Sequence, residues 1–593
     1  MKWIKSLKNR LKSVTDAITR FPLTTLFLLA AVTMNAYDIQ AGKSILSKYL
    51  LTFLVGAFLS AVFQVVYERF FTKISSRLML MCGAALLTAG YYLLIRPAPR
   101  LSMEIEIRTA VALFALLIAF IWIPVIKSKI NFNQSFMIAF KSLFISGFFA
   151  GVIFAGISLI LQAIHILIFV INDTAYQQTA NIVFILFTPM YFLSLIPVYF
   201  GTAEQNKAAE LVDSKKEIIE RAAHCPRFLE ILISYIVTPL IAVFTLILVI
   251  YIIQNISGEF WTDNLLEPML VSYSITVLLV YILASEIENK FTALFRMIFP
   301  KVLVPIVIFQ IIASIISLAD TGVTHTRYYV ILFGLFAAVS GVLLSFLPVK
   351  KNGVIASLLI VFAAVSIIPP LDAFTISRNS QTDTLQEVLE KNNMLENGNI
   401  KPNGTIPDKD KQTITSTVNY LRMMEYTDKI EWLPEELDNY SDFKDTFGFE
   451  ENYKQVKSTG PVSLSLEPST PIYTKDYDAF VQFDIFLNEK NSDDKICEIN
   501  KAEKNYTLLK DFNKDDIILK LIDENESEEL ISFNTKEIYD KYGNFQKNPG
   551  IVSAEQATTI KENEKAKIAI IIQNVYIDNQ NNNALLYVLI QIK

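Results

Sequence analysis

The ten residues Asp320-Thr321-Gly322-Val323-Thr324-His325-Thr326-Arg327-Tyr328-Tyr329 put a carboxylate, an imidazole, a guanidinium and two phenols between two long apolar runs. A guanidinium grips a carboxylate or phosphate through two parallel N–H bonds, so Arg327 can anchor an anionic headgroup site, with Asp320, His325 and Tyr328 around it. The same residues can instead lock a turn, Asp320 pairing with Arg327 while the tyrosines hold the membrane interface. The turn is the simpler reading; both are carried forward.

Other chemistry is hard to find. The chain has no GxxxxGK[ST], HExxH, GxSxG or paired CxxC, so no catalytic residue, metal ligand or cofactor is expected. His224 stands beside Cys225, but a lone Cys-His pair is a poor metal site. Cys82, Cys225 and Cys497 lie in three different settings, and Cys497, alone in the last part of the chain, has no disulfide partner there. The acidic group Asp523, Glu524, Glu526, Glu528 and Glu529 lacks the loop spacing of an EF-hand and reads as a solvated turn.

The elements that position these residues are mostly apolar. With 52% hydrophobic residues and 42 Phe in 593, the composition suits helices in lipid better than a fold bathed in water. Eleven runs, roughly 22–38, 46–67, 77–95, 107–126, 136–163, 180–200, 230–253, 268–287, 300–318, 328–347 and 353–369, approach the ~20 residues that cross a bilayer. Run five continues through His165 to Ile171 and is expected to end in a short helix lying in the interface. Lys and Arg concentrate before the first run and in alternate connections, which predicts a cytoplasmic N-terminus. An odd number of spans then places everything after Pro370 outside the cytoplasm. Few ionisable groups fall within the runs, which weighs against a charge-coupled pump. Pro189, Pro197, Pro239 and Pro305 predict kinks packed against neighbours or, as the alternative, helices broken at a cavity, and Gly147, Gly151 and Ala155 predict a close helix–helix contact.

Beyond residue 370 the patterning changes. Residues 1–370 carry 28 Lys+Arg against 18 Asp+Glu, and the remainder 25 against 40, an acidic balance that argues against nucleic acid as a partner. Helices are expected over 372–398, with Gly398 as the stop, over Asp408 to Tyr426, and after Pro434. From about 460 the period becomes two: Val481, Phe483, Ile485 and Leu487 alternate, and Ile570 to Ile572 and Leu585 to Ile592 flank an Asp/Asn-rich turn. The predicted fold class is thus an α-helical polytopic membrane domain of about eleven helices, then a soluble α+β tail ending in a β-rich sheet or sandwich. Its expected parts are a cytoplasmic N-terminus (1–20), a transmembrane domain (21–370), an extracytoplasmic helical segment (371–455) and an extracytoplasmic β-rich domain (456–593).

The stretch Thr321-Gly322-Val323-Thr324-His325-Thr326-Arg327-Tyr328-Tyr329 resembles one in the bacterial membrane proteins grouped as domain of unknown function 4153. Arg20-Phe21-Pro22-Leu23-Thr24, Tyr67-Glu68-Arg69-Phe70, Arg227-Phe228-Leu229 and Pro370-Leu371-Asp372-Ala373-Phe374 resemble it in the same order, over about 20–430. His325 stands where that family has an acid, and Trp261 is followed by Thr262 rather than proline. The resemblance implies a bacterial membrane protein and a topology; the family has no established activity. Three functions remain: a non-enzymatic envelope protein displaying an extracytoplasmic binding domain, with a protein partner there; a transporter or lipid-handling protein, with membrane lipid as partner; and an enzyme acting on lipid-linked substrates around His325 and Arg327. The first accords best with the β-rich tail and the scarcity of buried charge.

Overall fold

The computed structural model describes residues 13–201, 209–255, 267–434, 437, 440–453, 462–486, 494–513, 516–542, 550–577 and 582–593. The chain divides into two compact units, Met1–Asn452 and Tyr453–Lys593.

Among the described residues unit 1 has eleven helices long and apolar enough to cross a membrane, and the chain is a multi-pass membrane protein. In order they are α1 (Pro22–Ala41), α2 (Ser47–Phe70), α3 (Ile74–Ile95), α4 (Met103–Trp122), α5 (Phe132–Leu167) and α6 (Thr174–Leu195). An amphipathic helix α7 (Ala209–Ala223) intervenes before α8 (Arg227–Gln254), α9 (Glu267–Ala284), α10 (Lys290–Thr321), α11 (His325–Phe346) and α12 (Gly353–Ile367). Polar caps set several starts: Ser102 accepts from Ile105 N, Asn131 and Gln134 form a capping box, and Asn289 accepts from Thr292 N. Gly334 and Gly341 let α11 lie against α10; a Cβ at either would come within 2.9 Å of Ile311 or Val304.

Two polar seams close the ends of the bundle. At the end where α1 begins, Arg20 pairs with Glu68 at 2.7 Å and donates to Ile196 O. There the buried Arg69 donates to the carbonyls of Ile126, Lys127 and Phe200. Asn352 joins the same seam through Asn133 at 2.9 Å and Ser285 at 3.2 Å. The opposite end, where the chain leaves α12, is called the exit face below.

Helices α6 and α8 share a local device. Pro189 and Pro239 each follow a threonine and a π-helical turn, over Asn181–Phe187 and Leu232–Val237. The threonine hydroxyls donate five residues back, Thr188 to Val183 O at 2.7 Å and Thr238 to Ile233 O at 2.8 Å, so the proline ring is accommodated without breaking the helix.

Helices α13 (Ala373–Lys391), α14 (Asp408–Met423) and α15 (Tyr440–Phe447), with the short strands β1 (Leu395–Glu396) and β2 (Asn399–Ile400), complete unit 1 on a core of Phe374, Leu385, Val418, Leu421, Tyr426 and Phe443. Partly buried Ile107, Tyr328 and Tyr329 of the bundle pack against that core.

Unit 2 holds two sheets. One has the order β4-β12-β11-β3-β9, with β10 also on β11: β3 (Val462–Leu466), β4 (Ala479–Phe486), β9 (Gly550–Val552), β10 (Thr558–Glu562), β11 (Ala566–Ile577) and β12 (Asn583–Ile592). The other is the antiparallel meander β5 (Asp494–Lys501), β6 (Lys504–Asn513), β7 (Asp516–Asp523) and β8 (Glu528–Asn534). Leu508, Leu519 and Phe533 from the second sheet share one core with Ile568, Ile570 and Leu586 from the first.

Three local expectations are corrected. Gly147, Gly151 and Ala155 are exposed, and among the described residues nothing lies within 4 Å of a Cβ at either glycine; Ser146 and Ala150 are buried instead. Helix α5 runs unbroken for 36 residues to Leu167 in place of a separate interface helix, and His165 Nδ1 then accepts from Ile171 N at 3.0 Å. The helix after Asp372 ends at Lys391, and Gly398, at φ +76°, turns a hairpin between Leu395–Glu396 and Asn399–Ile400. The helix expected after Pro434 is present as α15, Tyr440–Phe447.

Candidate functional site at the exit face

Thr324 caps α11 by accepting from Arg327 N at 3.4 Å, and this places His325 and Arg327 in the first turn. Both are buried, and Phe374 of α13 and Tyr420 of α14 lie against His325. The Tyr420 hydroxyl of α14 accepts from His325 N at 2.9 Å and faces His325 Nδ1 at 3.0 Å, while Phe374 of α13 stacks on the imidazole at 6.0 Å. Tyr328 donates its hydroxyl to Leu371 O. The side chain of Asp320, and with it the expected Asp320–Arg327 pair, lies outside the described residues. The structure thus brings His325, Arg327 and Tyr328 together beneath the helices that follow the last span.

A second electrostatic feature of this face centres on Asp372 and Arg108. Asp372 caps α13, its Oδ1 accepting from Phe374 N at 3.0 Å and Thr375 N at 3.1 Å. The same oxygen takes Arg108 Nη2 of α4 at 2.5 Å. Arg108 also donates to Glu104 Oε1 at 2.9 Å and to Ile367 O, and its guanidinium lies 4.8 Å from the Phe374 ring centroid. Tyr426 donates to the other Glu104 oxygen at 3.0 Å. The hub ties α4, the end of α12, the start of α13 and the segment after α14 into one network.

Its protonation follows from that geometry. Burial works to raise the Asp372 pKa, but the hydrogen bonds from Thr375 and Phe374 and the Arg108 charge outweigh it and hold the carboxyl below its ordinary 3.8. Burial, then the Glu104 carboxylate, push the Tyr426 phenol up, and burial raises Tyr420 likewise. Both phenols stay neutral at physiological pH and can donate.

Signals for the hub did exist. Glu104 and Arg108 stand at i, i+4 in the first turns of α4, a spacing that pairs charges on one helix face. Asp372 precedes an apolar pair as an N-cap does. That these two features meet had no local signature.

At the opposite end, His224 and Cys225 line a cavity of about 450 Å³ with Glu220, Glu230, Glu286 and Glu288. Burial raises the Cys225 thiol and the Glu286 carboxyl above their ordinary values. Among the described residues no group of His, Cys, Asp and Glu is arranged to hold a metal ion. Within the bundle, an apolar groove of about 490 Å³ runs between α8 and α9, bounded by Leu240, Phe244, Met269, Ser272 and Tyr273. In unit 2 the acidic turn is neutralised locally: Glu524 meets Lys495 at 2.8 Å, Glu526 meets Lys504 at 2.8 Å and Glu528 meets Lys565 at 2.5 Å.

A family model described as "Domain of unknown function (DUF4153)" matches residues 23–397. No curated protein and no solved structure matches the chain.

Proposed function

The chain belongs to the family Domain of unknown function (DUF4153), and we propose that it is a non-enzymatic integral membrane protein of the cell envelope that displays an extracytoplasmic binding domain. In this reading the eleven-helix bundle is a base, helices α13 to α15 are its rigid collar, and the β-rich unit 2 meets a protein partner. The observation that carries it is the Arg108–Asp372 contact. By holding the chain where it leaves the last span, with Tyr426 on Glu104 as a second fastening, the hub makes the collar an extension of the bundle. Positively charged alternate connections and an odd span count support an extracytoplasmic collar. His325, Tyr328 and Tyr420 serve here as positioning residues, since each already spends hydrogen bonds on fixing the collar.

Photo-crosslinking in native membranes tests this reading. A crosslinker placed at exposed Phe480 or Ile560 of unit 2 should give a discrete adduct with another envelope protein. Adducts with lipid alone from every position tried would remove the reading.

One observation favours lipid handling as the second reading. The apolar groove between α8 and α9 lies beside the Thr238-Pro239 step and matches an acyl chain in character. Ser272→Trp should then strip a co-purifying lipid from detergent-solubilised protein, whereas unchanged lipid content would leave the groove a passive surface.

A further inference from the structure

Gln310 is enclosed within α10 packing at 1% exposure, and neither its amide nitrogen nor its amide oxygen has a hydrogen-bond partner among the described residues. An amide removed from water and left unpaired is strongly disfavoured, and native interiors rarely tolerate one without an ordered water. One turn along the same helix face stands Ser314, also 1% exposed, whose hydroxyl donates to Glu267 Oε1 at the start of α9. The Glu267 carboxylate in turn acts on the buried Arg327 guanidinium of α11. Gln310, Ser314, Glu267 and Arg327 therefore succeed one another from the interior towards the exit face, drawn from three helices. Gln310 lies eleven residues before the end of α10 at Thr321, about 16 Å along the helix axis.

Each member alone has a bland explanation. Together they form a polar column through apolar packing, and its inner end is the one group left unpaired. Ionisable and amide side chains inside a span gather where water reaches them, because hydrocarbon offers no partners. The amide supplies donors and an acceptor, and the hydroxyl and carboxylate supply further acceptors, which is the set that two or three water molecules satisfy. We propose that Gln310, Ser314 and Glu267 line a hydrated site within the bundle, with Glu267 at its exit-face end. This site is independent of what unit 2 binds.

Radiolytic hydroxyl-radical footprinting of the full chain in native membranes tests the proposal, because bound water generates the radical in place. In a background of Cys82→Ser, Cys225→Ser and Cys497→Ser, a thiol is introduced by Gln310→Cys or, as the lipid-facing comparison, by Ile312→Cys, a position 44% exposed on the same helix. The Gln310→Cys thiol should oxidise about tenfold faster than the Ile312→Cys thiol. Equal or slower oxidation would overturn the proposal. Should Gln310→Cys fail to fold, Ser314→Cys gives the same reading. Gln310→Leu supplies an independent measure: a hydrated amide predicts an unchanged or lower Tm, while a raised Tm would mark a dry, unpaired amide and contradict the site.

Discussion

Arg108 Nη2 and Asp372 Oδ1 lie 2.5 Å apart across 264 residues of sequence, one near the start of the fourth membrane helix and the other capping the first helix beyond the last. The Asp372 side chain is fully enclosed and that of Arg108 is 23% exposed. A buried charge pair of this kind specifies geometry more than it adds net stability, and losing one partner leaves a charge without compensation.

Arg108→Met should therefore lower the stability of unit 1 by about 3–5 kcal/mol. The double variant Arg108→Met/Asp372→Leu should recover much of that loss, short of about 1 kcal/mol for the missing helix cap. Thermal unfolding in detergent measures both; simple addition of the two single losses would mean that the residues act separately.

The same contact predicts a pH dependence. Because the folded Asp372 pKa lies below its ordinary 3.8, its contribution is complete above that value and is lost as pH falls through the lower, folded value. The Tm should drop on acidification below about pH 4, and Asp372→Asn should flatten that part of the curve. An equally steep drop in Asp372→Asn would assign the acid sensitivity to other carboxylates.

Arg327 separates fastening from headgroup binding. If it positions the collar, Arg327→Ala lowers thermal stability and expression and leaves bound lipid per folded molecule unchanged. An anionic headgroup site predicts the reverse: near-intact folding, with binding weakened by about 2–5 kcal/mol and no rescue by Arg327→Lys, which keeps charge but not the planar fork. Quantifying co-purified phospholipid decides, and the burial of Arg327 predicts the first outcome.

Unit 2 should fold alone. Residues 453–593 possess a core of their own in which Leu519, Phe533, Ile570 and Leu586 are essentially inaccessible. The isolated segment should give β-type circular dichroism and a cooperative melt; a disordered spectrum from soluble material would show that its strands need the bundle or a partner.

Much of the fold was legible because lipid leaves the chain few choices. A spanning segment must satisfy its own backbone and present apolar side chains, so runs such as 46–67 and 328–347 declare themselves as α2 and α11. Alternation through Val481, Phe483 and Ile485 declares β4 in the same way. Orientation within the bundle leaves no comparable mark: Gly147 and Gly151 are spaced for helix contact yet face away from it, since lipid accepts a small residue as readily as a neighbouring helix does. Of the candidate site, His325, Arg327 and Tyr328 were visible as chemistry crowded into one connection. What they touch was not, because Tyr420 and Phe374 arrive from helices 46 or more residues downstream, and Phe374 in turn carries Arg108, more than 200 residues upstream.

The central claim, a collar and β-rich domain held outside the cytoplasm, meets its most direct test in thiol accessibility. With Cys82, Cys225 and Cys497 replaced by serine, Glu564→Cys puts a thiol at an exposed site between β10 and β11. A membrane-impermeant maleimide should label it in intact cells or spheroplasts to the extent reached after lysis. Labelling that appears only after lysis would place unit 2 in the cytoplasm and contradict the account.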